Sequence, residues 1–305
     1  MASHPKRGPL PIVGVMQQKI FGLPVDRDII FSNHKNMYKK RVEKRQREFI
    51  IKLPFLKPFL EGDEKILLVT TGHSPPTVFE KMGLGWLFVY LKRSLLVFTD
   101  RRIFHIPTTP LYRYRNSIAQ IPYGACQSIT LKGRSLVLTY SSTSASDKFF
   151  SLAGREKKKI REILKKVPVA AGPKTATGRS HLCPQCGAPL SVSRAACQRC
   201  QLNFKSATIA TLMSIILPGG GYFYIRQYFL GVMAAILEIS MLIGIGSSLS
   251  DLLNGFTSSV PLLAATSALF ILEKMAAVVH ARVFIREFVP GRKVVDFEGL
   301  NAQTA

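Results

Sequence analysis

The stretch "LLVFTDRRIFHI", residues 95–106, reads as two short apolar strands joined by a tight polar turn at Thr99–Arg102. Working outward, "EKILLVTTG" (64–72) is a β-branched run ended by Gly72, and "SIAQIPYGACQSITLKG" (117–133), "SLVLTYSS" (135–142) and "DKFFSLAG" (147–154) continue the same texture. Short β segments separated by polar or glycine-bearing turns are the pattern of a small antiparallel sandwich or barrel. The next stretch, "REKKKIREILKKV" (155–167), changes period. Ile160, Ile163, Leu164 and Val167 fall on one face of a helix, a face able to plug the open end of a barrel.

Strands closed by one C-terminal helix, with "FLEGDEKILL" (59–68) opening the unit and the L-x-x-T-D-x-R run at Leu96–Arg102 in its centre, resemble bacterial pleckstrin-homology-like (PH-like) or GRAM-like domains. The resemblance covers about residues 55–167. The connection Pro75–Arg93 is longer than such a unit needs, and its sequence does not choose between strand, helix and loop. Upstream, residues 1–54 form a basic region. Residues 32–50 read as a helix with Ser32 or Asn33 as its N-cap. Residues 168–180, rich in Pro, Ala and Gly, have the composition of a linker.

Cys183 and Cys186 form one CxxC pair and Cys197 and Cys200 a second, with ten residues between them. Each CxxC turn aims two thiolates at one ion, and two turns complete a closed tetrahedral S4 site. Soft sulfur donors with no open position suit Zn2+ better than redox dithiol or iron–sulfur chemistry. The stretch 181–205 resembles the short zinc ribbons found at one end of many bacterial membrane proteins, with Gln201 standing where the first knuckle has Gly187. So small a unit buries little core, so the metal would supply its folding energy. A docking role for a protein partner is the sharper alternative. Cys126 is left over and reads as a small buried hydrophobe.

The chain then turns apolar. Phe229–Ser250 contains one charge, Glu238, and at about 33 Å is long enough to cross the hydrocarbon. Ser259–Ile285 reads as a second span. Residues 206–228 contain a segment too short to span and read as re-entrant or interfacial. "LPGGGYFY" (217–224) resembles the PGxGxFY signature of TM2-like membrane proteins. An unpaired carboxylate at membrane depth is costly. With Ser250 opposite Ser259, Glu238 faces Ile271 and Lys274 lies one turn away, so an interhelical Glu238–Lys274 pair is expected. An ion or proton path through Glu238, Glu273 and His280 is the functional alternative.

Residues 206–305 hold six basic and six acidic side chains, so the whole formal net charge of +24 lies in residues 1–205. A basic soluble half beside a neutral apolar half implies anionic lipid headgroups as partner. The residues expected at that contact are Lys39, Lys40, Arg41, Lys44, Arg45, Lys157, Lys158 and Lys159. Nucleic acid ranks behind lipid, since no helix-turn-helix or aromatic RNA platform accompanies the charge. The loop between the spans lacks Lys and Arg while Arg286–Lys293, just past the second span, is basic, which puts both termini on the cytoplasmic side of a bacterial inner membrane. No secretory signal is read at the N-terminus, and no catalytic motif is found.

These readings give an α+β protein: a PH-like β-barrel with a C-terminal helix, a zinc ribbon and a transmembrane helical hairpin. The expected role is non-catalytic recognition or scaffolding at the inner leaflet, with a protein partner or homo-oligomer open. A small channel subunit and a membrane-tethered nucleic-acid binder are the alternatives.

Overall fold

The computed structural model describes residues 19–75, 92–142, 146–167, 169, 178–191, 195–292 and 294. The connection read as ambiguous falls mostly on residues 76–91, and most of the expected linker falls on 170–177; both stretches lie outside the described residues.

Two sheets form the soluble body. One contains β3 (Ile66–His73), β4 (Arg93–Thr99), β5 (Arg102–Pro107) and β6 (Ile118–Pro122), all antiparallel, with β10 (Ser180–Leu182) as a fifth strand on the β6 edge. The other contains β7 (Cys126–Lys132), β8 (Ser135–Tyr140) and β9 (Ser146–Phe149). The run 117–133 is not one strand. A short 3-10 turn at Tyr123–Ala125 carries the chain from one sheet to the other. On the opposite side, His73 and Phe150 exchange backbone hydrogen bonds and bring the sheets together.

Helix α3 (Lys157–Lys166) lays Ile160 and Ile163 into the space between the sheets, against Leu68, Phe98, Tyr123 and Phe149. The other face of the larger sheet is also covered, by residues 19–60. These comprise β1 (Lys19–Ile20), β2 (Leu23–Pro24), α1 (Arg27–Ile30) and α2 (Lys40–Ile50), followed by a 3-10 turn (Pro54–Phe59). Burial on both faces explains why Leu95, Leu96, Val97 and Phe98 are all apolar with no polar alternation.

The turn at the centre of the sequence pattern has a defined task. Buried Glu64 receives Arg102 Nη2 at 2.6 Å and Nε at 3.0 Å, and the Thr99 hydroxyl donates to the same carboxylate at 2.7 Å. Asp100 Oδ1 accepts from Lys65 N at 3.0 Å. The two stretches that carried the resemblance are therefore stapled together by their own polar residues.

The helix expected over 32–50 starts at Lys40. Asn33 does not cap it. Its Oδ1 accepts from Lys35 N at 2.8 Å and Met37 N at 3.2 Å, which makes a local turn instead. Cys126 is fully buried, and burial pushes its thiol up to about 12, so it remains a neutral, inert group.

The apolar half contains α4 (Ala207–Ile216), α5 (Gly220–Tyr224), α6 (Tyr228–Leu253) and α7 (Val260–Ile285). Helices α6 and α7 are each 26 residues, about 39 Å. They are long and apolar enough to cross a membrane, and only 22% and 6% of their most apolar stretches are buried. The core helix of a water-soluble protein would hide that surface. At the α4–α5 reversal, Gly219 has φ +64°, and an added Cβ would stand 2.1 Å from the Gly231 carbonyl oxygen of α6. No other residue fits there.

Candidate functional site

Three sites stand out. The first is the cysteine cluster. Cys183 Sγ and Cys200 Sγ are 3.5 Å apart, Cys186 Sγ and Cys197 Sγ are 3.6 Å apart, and all four lie within 4.8 Å of one another. Sulfurs at the corners of a tetrahedron around one ion sit about 3.8 Å apart, so the cluster fits one metal. Each knuckle closes with the same backbone bond: Gly187 N donates to Cys183 O, and Gln201 N to Cys197 O. Gln201 takes the left-handed conformation, φ 56°, that Gly187 takes at φ 72°.

The cluster is part of the folded body. Ser180, His181 and Leu182 pair with Gln120, Ala119 and Ile118, so the ribbon's first strand extends the barrel sheet. Ser180 and its neighbour Arg179, expected in the linker, thus belong to this body. From the other side, Lys205 N donates to Val289 O, and Gly291 N to Asn203 O. The ribbon therefore clasps the tail that leaves α7.

The second site is within the apolar half. Lys274 Nζ is 2.6 Å from Glu238 Oε2 and also donates to the carbonyls of Ser214 (2.9 Å) and Leu217 (3.4 Å). Glu238 Oε1 accepts from Gly219 N at 3.2 Å. The pair thus ties α6 and α7 and completes the backbone bonds of the α4–α5 reversal, a part the sequence reading did not anticipate. His280 Nδ1 and the Tyr222 hydroxyl lie 2.9 Å apart nearby.

The third site is the junction of barrel and hairpin. The strand register sets His105, Ala119 and His181 in one row across β5, β6 and β10. Glu287, just past α7, brings its carboxylate to this row, with Arg179 Nη2 at 3.3 Å from Oε1. Its backbone carbonyl accepts from the Ser117 hydroxyl. Burial pushes the Glu287 carboxyl up, but Arg179, His105, His181 and Lys92 outweigh it and hold the group at about 2. A depressed carboxyl stabilises the fold above the ordinary value of 4.5, and that stability is lost as pH falls toward about 2. Glu287→Gln is therefore expected to cost on the order of 2 kcal/mol at neutral pH and to flatten the acid limb of a stability–pH profile of the detergent-solubilised protein. An acid limb identical to that of the parent chain would contradict this assignment.

The residues expected to meet lipid divide. Lys39, Lys40, Arg41, Lys44 and Lys158 are exposed and Lys157 partly so. Two are not available. Lys159 is buried, with Nζ donating to the carbonyls of Ile29, Ile30 and Ser32, and burial lowers its ammonium to about 8. Arg45 is held 2.6 Å from buried Glu156. Helical spacing put both on a basic surface, but each turns inward to a carbonyl or carboxylate that only the folded chain supplies.

Lys39 bonds back to Phe31 near the Ile66 end of β3, whereas Phe49, at the other end of α2, packs on Tyr112. The exposed lysines of α2 therefore lie toward the barrel end away from the hairpin. The cations turned toward the hairpin are others: Lys92, Arg93, Arg113 and Arg115. "KR" at 92–93 and "RYR" at 113–115 are visible in the sequence, but only the β4–β5 pairing brings them together.

Residues 60–168 match the bacterial PH domain family. That is the segment formed by the barrel and α3, starting at Leu60 beside the Glu64–Arg102 staple. Searches of curated proteins and of solved structures found no match to the chain. A PH-like barrel carrying a four-cysteine cluster and two helices of membrane-crossing length fits a membrane-associated module.

Proposed function

We propose that this chain is a non-catalytic recognition module anchored in a membrane by α6 and α7. The observation that carries this reading is the Glu287 junction, where the end of the second long helix is bonded into the barrel between Ser117 and Arg179. The ligand class is an anionic headgroup, since the net charge of +24 belongs wholly to residues 1–205. Basic residues beside the hairpin favour a bacterial inner membrane with barrel, ribbon and tail in the cytoplasm.

The cysteine cluster holds Zn2+ as a structural ion, because four thiolates leave no position for substrate. Cys183, Cys186, Cys197 and Cys200 would be its ligands, and its task is to join barrel edge and tail into one body. The likeness of residues 217–224 to TM2-like proteins and of the barrel to GRAM-like domains belongs to the same reading. Glu238 has both oxygens engaged by Lys274 and Gly219, which supports a structural role over an ion path.

Lipid analysis of the full-length protein extracted in mild detergent tests the reading. Anionic phospholipid should be enriched over the bulk membrane, with one equivalent of zinc. A co-purifying lipid mixture that merely mirrors the membrane would sink it.

A further inference from the structure

A strand at the edge of a sheet leaves a row of backbone N–H and C=O groups without partners, and folds close such edges. In the larger sheet the chain closes both. β10 pairs along β6. On β3, Gln46 Nε2 donates to Val69 O at 2.9 Å and Val69 N donates to Gln46 Oε1 at 3.0 Å, so one side-chain amide stands in for a neighbouring strand. Asp26 N donates to Ile66 O, and His73 exchanges bonds with Phe150. The edge formed by β7 is treated differently. β7 pairs with β8 alone, and among the described residues nothing bonds to the outer backbone of 127–132.

The turn that joins β7 to β8 sets which groups face outward. Lys132 stands opposite Ser135, and Gly133, with φ +61°, opens the two-residue turn between them. The pair that closes such a hairpin exchanges backbone hydrogen bonds, and bonded pairs then alternate along the ladder. Ser128, Thr130 and Lys132 therefore spend their backbone groups on β8, while Ile129 and Leu131 turn theirs outward. The side chains of Ile129 and Leu131 are partly buried against the same core as Leu164 of α3, which runs beside β7. Lys159, Glu162 and Lys166 lie on the helix flank shared with Asp26 and Lys65. Helical spacing puts Lys157 and Arg161 on the opposite flank, toward β7. Lys165 is paired with Glu162 at 2.9 Å, whereas Lys132, Lys157 and Arg161 have no ion pair among the described residues.

We infer that the β7 edge binds an extended acidic segment of a partner protein, which adds a fourth strand to the β7–β8–β9 sheet. Its backbone bonds to Ile129 and Leu131, its apolar side chains lie on Ile129, Leu131 and Leu164, and its carboxylates meet Lys132, Lys157 and Arg161. The unpaired cations select an acidic segment, and the open row of backbone groups selects a polypeptide. The inference goes beyond headgroup recognition: it gives the anchored module a protein partner, on a surface that neither the hairpin nor α2 supplies.

The test uses the full-length protein in detergent and a fluorescent peptide of alternating Glu and Val, about ten residues long. Anisotropy should report saturable binding, and a Lys–Val peptide should not bind. Hydrogen exchange should show the Ile129 and Leu131 amides gaining protection when the Glu–Val peptide is added. Lys157→Glu/Arg161→Glu should weaken binding on the order of tenfold. Ile129→Pro removes a donor that β8 does not use, a place where an edge strand accepts proline, and should weaken binding at least as much. Unchanged exchange protection of β3 and β4 shows that each variant barrel is folded. Lys40→Ala/Arg41→Ala/Lys44→Ala, on the helix that covers the other sheet face, should leave binding unchanged. Equal binding by the cation-reversed variant, or no new protection at Ile129 and Leu131, overturns the proposal. So does duplex DNA that binds where the peptide fails. Protection of these amides that exists without peptide and is lost on dilution would assign the edge to a second copy of the chain and overturn the acidic partner.

Discussion

Lys274→Met is expected to destabilise the apolar half by about 3–5 kcal/mol, because it strips the partner from a buried carboxylate. Glu238 is only 1% exposed, and Lys274 Nζ at 2.6 Å is its charged partner. The same ammonium bonds the Ser214 and Leu217 carbonyls, which end α4, so its loss also opens the α4–α5 reversal. Retaining a lone carboxylate is worse than removing the pair. The double variant Glu238→Gln/Lys274→Met should therefore recover a large part of the loss, with its amide still able to accept from Gly219 N. Unfolding in graded denaturing detergent, read as the midpoint for each variant, measures this. A neutral Lys274→Met, or a double variant worse than the single, would show that the pair does not hold the helices.

The second large effect is expected from the cysteine cluster. Cys197→Ser, or removal of the metal by a chelator, should unfold the ribbon outright, because metal binding at such sites is worth about 10–16 kcal/mol. The apolar cluster around the site is small, with Cys183, Cys197 and Leu202 as its buried members. Without the ion, only the Leu182 packing, the His181–Phe288 contact and the Arg179–Glu287 pair are left to hold Ser180–Leu182 against β6. Hydrogen exchange should show β10 and residues 203–205 losing protection, while β3–β5, flanked by their own cores, keep theirs. Full protection of β10 after the metal is stripped would assign the clasp to the chain alone.

The barrel is readable from the sequence because its strands carry both of their burial faces in the open: Leu95–Phe98 and Ile103–Ile106 are nearly uninterrupted apolar runs. The four cysteines are readable because ligand spacing is a local property. The Glu238–Lys274 arrangement follows from hairpin register alone, since two helices joined by a short loop align by counting. What stays hidden is every contact made by chain closure. Lys159 and Arg45 share the helical pattern of their exposed neighbours, and nothing local tells that their partners are Ser32 and Glu156. Glu287 reads as the one acidic residue in the basic run 286–293, yet it reaches a row of side chains drawn from β5, β6 and β10. Arg93, Arg113 and Arg226 meet only because barrel and hairpin are packed together. The sequence shows the parts, and the junction between them arises only when the chain closes on itself.

The central claim is that a basic barrel and ribbon are held at a bilayer by a helical hairpin that lies in it. Washing membranes from cells producing the full-length chain with alkaline carbonate tests it most directly, because the wash removes proteins held only by charge. The account predicts that the protein stays with the membrane pellet and leaves it only with detergent. Release of the chain into the aqueous supernatant would contradict it.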